Sequence, residues 1–161
     1  MTAPVVMTIT AGTLAVGPEG GPLVQYDCQV VSAAVNPTPN MQTQKATFCA
    51  GETQVPGATG WELVVNVLQD WSADATSFCW FSIDNDAQVV EWEVALQGGL
   101  TAPADAPVTM HGQAYCVPFP FGGDAGTPLE ATQTWPIIGK PVQGPSTVTL
   151  AARAPASSSA V

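Results

Sequence analysis

The sequence predicts a mainly β protein, a single-domain β-sandwich or β-barrel of about eight strands with one short flanking α-helix. The chain has 161 residues, the usual length of one domain. Its 15 glycines and 15 prolines are spread along the chain, and both residues disfavour long helices. Several segments alternate apolar and polar residues with a period of two, which is typical of half-buried strands. We place the domain at residues 1–150 and a C-terminal tail at residues 151–161.

Two strands with one polar face are predicted in the first half of the chain. In residues 24–30 the even positions are apolar, and the odd positions are the polar Gln25, Asp27 and Gln29. In residues 61–71 the odd positions other than Gln69 form an apolar face that begins and ends in tryptophan, and polar residues occupy part of the other face. Since successive side chains of a strand point to opposite faces, one face of each strand is expected in the core and the other in water.

A hairpin is predicted from residues 88–96 and 108–116, which both carry apolar side chains at even positions. The odd positions include Glu91 and Glu93 on the first strand, and Thr109 and His111 on the second. A slip of one residue would move every apolar side chain to the wrong face, so even positions must oppose even positions. Glu93 is therefore expected opposite His111 or one diagonal away.

Other strands are predicted where the alternation is weaker, at residues 8–16, 44–50, 129–135 and 147–152. Clusters of glycine and proline predict loops at residues 17–22, 36–40, 51–60, 98–107, 118–128 and 139–145.

One helix is predicted at residues 73–83. Ser72 suits its N-cap, Asp74 suits its first turn, and apolar residues recur there at three-and-four spacing. The alternative is a buried strand at residues 77–83, a run that is rich in aromatic residues.

Charge excludes one large class of function. The chain has 3 basic and 13 acidic residues, and its net charge is −10. No face can therefore offer the basic stripe that holds the phosphates of a nucleic acid. No apolar run approaches the roughly 18 residues of a membrane span, and the first residues lack the pattern of a signal peptide. We expect a protein that is made in the cytosol and has no membrane partner.

The usual motifs of catalysis do not occur in the sequence. There is no G-x-S-x-G elbow and no phosphate-binding loop. A catalytic triad would have to converge on His111, the single histidine, which we interpret as a polar strand residue. Glu91 and Glu93 have the spacing of paired catalytic carboxylates on one strand face, and solvated strand carboxylates have the same spacing. We expect neither an enzyme nor a cofactor.

The cysteines and tryptophans are expected to stabilise the fold and not to form a functional site. The four cysteines are widely spaced without a C-x-x-C pair, so no metal site is expected. We expect buried free thiols, with two disulfides as the alternative. Three tryptophans fall on apolar strand faces and are expected in the core, with a sugar-stacking surface as the alternative. They are Trp61, Trp71 and Trp92.

Charged residues make up only 10% of the chain, and the cores of interfaces are depleted in charge. We therefore expect a subunit whose surface is largely buried by copies of itself. The predicted order of elements is an alternating strand at residues 61–71, a short helix, a strand at residues 89–94, a hairpin return and the segment 118–126. This order resembles that of the major tail tube proteins of long-tailed, siphovirus-type bacteriophages, notably those that infect actinobacteria.

The resemblance implies a small β-sandwich or barrel that forms hexameric rings, which stack into a hollow tube in the virion tail. Through this tube the genome passes from the capsid to the host without specific binding. Seven polar positions are then expected to face the channel: Gln25, Asp27, Gln29, Glu91, Glu93, Thr109 and His111. Five terminal positions are expected to contact other subunits: Met1, Thr2, Ala151, Arg153 and Val161.

The partners that the resemblance implies are further copies of the chain and the tape-measure, terminator and distal tail proteins. Two alternatives remain open. One is a capsid decoration or tail-terminator protein, and the other is a secreted Ig-like or carbohydrate-binding sandwich.

Overall fold

The computed structural model describes residues 11–26, 29–72, 77–97, 108–144 and 146. Within these residues nine strands form two sheets and one short helix flanks them, which confirms the mainly β prediction. The strands are β1 (Ala11–Pro18), β2 (Val24–Gln25), β3 (Val30–Thr38), β4 (Met41–Gln44), β5 (Thr53–Pro56), β6 (Gly60–Leu68), β7 (Val89–Gln97), β8 (Val108–Tyr115) and β9 (Glu130–Gln143). The helix is α1 (Phe78–Asp84).

The larger sheet has seven antiparallel strands in the order β2-β1-β7-β8-β9-β6-β3. Strand β9 has 14 residues and changes partner along its length. It pairs with β6 as far as Pro136 and with β8 from Ile137 onward. Proline cannot donate to a ladder, so Pro136 is tolerated at the point where β9 leaves one partner for the other. Because both halves of the sheet contribute to one core cluster, the sheet is folded over on itself as a sandwich.

A bulge in β9 adds to this bend. His111 of β8 pairs with Val142, and Gln113 pairs with Ile138, so residues 139–141 of β9 oppose a single residue of β8. Gly139 has φ of 74°, a left-handed conformation that glycine adopts without a Cβ clash.

The core lies between the two halves of the sheet, with α1 packed against it. Its largest side chains are Trp92 of β7, Trp135 of β9 and Phe78 of α1, all fully buried. The ring of Trp92 lies over Gly112, directly opposite on β8, where an added Cβ would be 3.2 Å from the indole. Gly112 thus provides the space that Trp92 occupies.

The predicted helix is confirmed, and the alternative strand at residues 77–83 is wrong. The N-cap, however, is Ser77 and not Ser72. Ser77 Oγ accepts from the Trp80 amide and donates to the Asp70 carbonyl. Ser72 lies in a turn instead, where its amide donates to the Asp70 carboxylate over 2.9 Å. Residues 73–76 of the predicted helix lie outside the described residues.

Five predicted strands agree with the structure: residues 8–16, 61–71, 88–96, 108–116 and 129–135 correspond to β1, β6, β7, β8 and the first half of β9, and residues 8–10 of the first lie outside the described residues. The register of the predicted hairpin is also confirmed, because Glu93 pairs with His111 and Glu91 pairs with Gln113.

The other strand boundaries differ from prediction. Residues 24–30 do not form one strand, because β2 ends at Gln25 and the Gln29 amide then donates to the Tyr26 carbonyl in a turn. Strand β3 begins at Val30 and enters the predicted loop at residues 36–40. In place of the predicted strand at residues 44–50 the structure has β4, which ends at Gln44, and β5, which lies in the predicted loop at residues 51–60. Strand β9 continues through most of the predicted loop at residues 139–145. The prediction at residues 147–152 lies outside the described residues.

Candidate functional site

The smaller sheet, β4 and β5, is a hairpin that stands apart from the sandwich. We call residues 41–56 the arm. Among the described strands, its two strands pair only with each other, from Met41 opposite Pro56 to Gln44 opposite Thr53. Every residue of the arm is exposed. At its base the Gly57 amide donates to the Asn40 carbonyl over 2.7 Å, which holds the two ends of the arm together.

The tip of the arm carries an aromatic side chain that is fully exposed to solvent. Thr47 and Ala50 close the tip through a pair of backbone hydrogen bonds. Between them Phe48 is 112% exposed, more than in an extended reference peptide, and the adjacent Cys49 is an exposed free thiol. An isolated two-stranded hairpin is marginally stable in water. An exposed phenyl ring at its end adds no stability to the subunit.

A second unpartnered feature is an apolar cleft between the two ends of the larger sheet. Among the described residues, β3 pairs with neither β1 nor β2, so the sheet is open between its two ends. The gap forms a cleft with two adjoining sections of about 200 and 330 Å³, which share Ala33, Val94 and Leu96. None of the described residues that line the two sections is charged. Val31 and Val108 at its sides are about half exposed, at 55% and 48%.

The odd positions of the β7–β8 hairpin form one face, as predicted, but this face is not freely solvated. Glu91, Glu93 and His111 are half-buried, and Thr109 is buried. The chain after β9 crosses this face: the Ser146 amide donates to Glu93 Oε2 over 2.6 Å, and His111 Nδ1 lies 2.7 Å from the Gly144 carbonyl. Since a carbonyl only accepts, His111 carries a proton on Nδ1.

Two buried side-chain oxygens on the polar strand faces have no hydrogen bond among the described residues. Glu91 Oε2 has no hydrogen-bond partner among the described residues, and neither does Asn66 Oδ1 on the outer side of β6. The expectation of a solvated face is therefore wrong for Thr109 and only partly right for the two glutamates.

Of the remaining predicted channel residues, Gln25 shares this face of the sheet, because it and Glu93 both pair with Ala15 of β1. Gln25 is exposed on β2, two strands from Glu93. Gln29 is half-buried, and its side-chain oxygen accepts from the Phe78 amide over 2.8 Å, so it satisfies the first turn of α1. Asp27 lies outside the described residues. So do all five predicted contact residues at the termini: Met1, Thr2, Ala151, Arg153 and Val161.

A third surface feature is an aromatic cluster of Trp71, Trp80 and Phe121. The Trp71 ring meets Trp80 edge-on at 5.2 Å and Phe121 edge-on at 4.9 Å. Trp80 is 40% exposed and Phe121 is 76% exposed. The Gln69 side chain holds the cluster, because its oxygen accepts from Trp71 Nε1 and its nitrogen donates to the Gly122 carbonyl. Trp71 is half-buried and packs against the core cluster, Trp61 is half-buried, and only Trp92 of the three is fully buried as predicted.

The described cysteines are free thiols of two kinds. Cys79 and Cys116 are buried, as predicted, whereas Cys49 is exposed. Burial, with a smaller contribution from the Asp86 charge, raises the pKa of Cys116 to about 12. This thiol therefore stays protonated at neutral pH and is a poor nucleophile.

In the described part of the chain no group of three or more metal-ligating side chains comes together. Among the same residues, no helix has the length and apolar character to span a membrane.

Alternation alone could not have found the arm or the cleft. The arm has no buried face and hence no period of two, and the cleft depends on which strands remain unpaired. Comparison with known proteins adds no identification, since no protein-family model and no curated protein matches the chain.

Proposed function

We propose that this chain is a structural subunit that joins with identical copies into rings, and that the rings stack into the hollow tail tube of a long-tailed bacteriophage. The observation that carries the proposal is the arm. It is ordered at its base and fully exposed, and it presents Phe48 to no surface of its own subunit. Such a segment contributes nothing to the subunit alone, but it supplies an apolar anchor to a neighbour.

The open edge of the larger sheet supports the same proposal. Strand β3 is the last strand of the sheet, has nine residues and leaves one row of backbone groups without a strand partner in the described residues. An exposed edge of this length is a template for pairing with another chain. Head-to-tail contacts of this kind close into rings or continue as filaments.

The charge of the chain suits a channel for DNA. Each subunit carries −10, and a ring of six would carry six times this charge. Duplex DNA carries about one negative charge per 1.7 Å, so an acidic wall repels the passing duplex and prevents adhesion. Glu91 and Glu93 are the proposed channel residues, together with the exposed Gln25. The virion tail is the proposed location, and the tape-measure, terminator and distal tail proteins are the proposed partners.

The assembly is tested by removing the arm. Because Asn40 and Gly57 are held together by a hydrogen bond, deletion of residues 41–56 can join them directly. We expect the full chain to form rings or tubes in negative-stain electron microscopy. The deleted chain should remain a monomer with an unchanged circular dichroism spectrum. Full-length chains that stay monomeric at high concentration, or arm-deleted chains that form normal tubes, would contradict the proposal.

The channel assignment has its own test. In phage particles built with the double variant Glu91→Lys and Glu93→Lys, DNA ejection should be slower because the lysines attract phosphates. The control variant Glu19→Lys with Asp86→Lys makes the same change in net charge at exposed turns outside this face. Normal ejection by the first variant would reject the channel assignment and leave the tube intact.

The aromatic cluster favours a second candidate, a carbohydrate-binding sandwich. Exposed tryptophan rings supply the apolar faces on which sugars stack. The rings here stand edge-on to one another, at 87° and 74°, so they do not form one flat platform. Binding to a glycan array that is lost in Trp80→Ala, together with a monomeric chain, would favour this candidate. Caps or shells instead of tubes would favour a terminator or decoration protein.

A further inference from the structure

We propose that the receptor for the arm is the apolar cleft of a neighbouring copy, with the Phe48 ring seated between β3 and the ends of β7 and β8. This inference rests on the proposed self-assembly and goes beyond it, because it names the two surfaces that meet. Within the part of the subunit that the structure describes, neither surface has a partner. Phe48 is fully exposed, and the cleft is open to solvent along β3.

The sizes of the two features agree. An apolar cavity of about 150 Å³ is enough to bind benzene. The two sections of the cleft measure about 200 and 330 Å³, so each can accept a phenyl side chain. Leu96 and Met110 provide flexible apolar walls at the inner end of the larger section, and Val108 borders its mouth.

Charge also directs the arm to the cleft. Copies that each carry −10 repel one another wherever their acidic surfaces meet. The described lining of the cleft contains no charged residue, and the tip of the arm at residues 47–50 has none either. Lys45 and Glu52 on the sides of the arm cancel. The contact between tip and cleft therefore brings two copies together without like-charge repulsion.

The aromatic cluster is a weaker receptor for Phe48. Trp80 and Phe121 already pack edge-on against the Trp71 ring, so a further ring would rest on the exposed outer side of the cluster. A ring that lies on such a surface stays partly in water, whereas a ring inside the cleft loses its whole hydration shell. The hydrophobic gain scales with the apolar area that is removed from water, which favours the cleft.

The native thiol beside Phe48 allows a direct test. In a Cys28→Ser background, Cys49 is paired with one introduced cysteine in the cleft, either Val31→Cys or Val108→Cys. The matched control is Asp86→Cys, an exposed position that lies beyond the end of β7 at Val89. At about 3.3 Å per residue, Val89 is roughly 23 Å along the strand from Leu96, which lines the cleft. The assembled proteins are oxidised and separated on a non-reducing gel.

We expect at least one cleft variant to form inter-subunit disulfides in at least about tenfold higher yield than the control, since a disulfide needs Cα atoms within about 7 Å. Tubes that form normally but give no cross-link from either cleft position, or give equal cross-links at Asp86→Cys, would overturn the placement and leave the proposed function standing. A chain that forms no assembly at all would overturn both.

A second measurement tests the anchor itself. Phe48→Ser should raise the critical concentration for assembly by about tenfold or more, because the apolar gain of one buried phenyl ring is lost. The same substitution at the other highly exposed phenylalanine, Phe121→Ser, should change it much less. Equal effects of the two substitutions would show that general surface hydrophobicity, and not a specific socket for Phe48, drives assembly.

Discussion

The sandwich and the arm are built on opposite principles. In the sandwich, fully buried side chains from both halves of the sheet meet α1, and the polar atoms around the helix find partners such as Gln29 and Ser77. In the arm, every residue is exposed and the two strands bond only to each other. One region therefore has a buried core of its own, and the other has no buried residue.

This difference separates stability from assembly. A substitution in the sandwich should change the free energy of unfolding of every subunit, whether or not it is assembled. A substitution in the arm should leave that quantity unchanged and alter only the contacts between copies. The following predictions test how complete this separation is.

The largest effect is expected for Trp92→Ala. Trp92 is fully buried and its ring fills the space over Gly112, so its removal leaves a large cavity. Substitutions of this kind cost about 3–5 kcal/mol. Urea denaturation of the dissociated subunit should show this loss. A loss below about 1 kcal/mol would mean that the core collapses around the missing ring, or that the sandwich is less tightly packed than the structure indicates.

Alkaline pH should destabilise the sandwich by about 2 kcal/mol through Tyr26. Burial raises the pKa of Tyr26 from 10.0 to about 12. The neutral phenol is thus favoured in the folded state, so this contribution is complete below pH 10 and is lost as pH rises toward 12. The free energy of unfolding, measured across this window, should fall less in Tyr26→Phe. An equal fall in both proteins would assign the effect to other groups, such as the Cys116 thiol.

A smaller loss, about 1–3 kcal/mol, is expected for Gly112→Ala. The added Cβ would lie 3.2 Å from the Trp92 ring, closer than an ordinary contact, so the ring or the strand must shift. The double variant Gly112→Ala with Trp92→Phe separates this clash from a general effect on β8. If the clash is the cause, Gly112→Ala should cost less in the Trp92→Phe background than in the native chain.

The sandwich was far more predictable from sequence than the arm, for a physical reason. A strand with one buried face must alternate, so β6, β7 and β8 were found, and the Glu93–His111 register followed from parity. Strand β3 was missed because its sequence, VVSAAVNPT, does not alternate and contains a proline. The arm was missed because a hairpin without a buried face has no reason to alternate.

The candidate site was predicted only in part. The acidic face of β7 was identified, but its cover by Gly144 and Ser146 depends on a chain crossing that local patterns do not encode. The predicted N-cap, Ser72, lies five residues before the observed one, because Ser72 and Ser77 have the same capping chemistry. Only the packing of Asp70 and Gln29 around Ser77 decides between them.

The smallest effect on stability is expected in the arm, and it can be tested with trypsin. Of the three basic residues, Lys45 lies in the arm, Lys140 is followed by Pro141, which blocks cleavage, and Arg153 lies in the C-terminal tail, so its product has a different mass. Because every residue of the arm is exposed, its local opening should cost little, and free subunits should be cut rapidly after Lys45. Cleavage should change the free energy of unfolding of the sandwich by less than about 0.5 kcal/mol. In assembled tubes the same bond should be protected, since the arm is held by a neighbour. Digestion followed by mass spectrometry measures the cleavage rate in both states.

Slow cleavage in the free subunit would show that the arm is stabilised within its own chain, and rapid cleavage in intact tubes would show that it is not part of the contact.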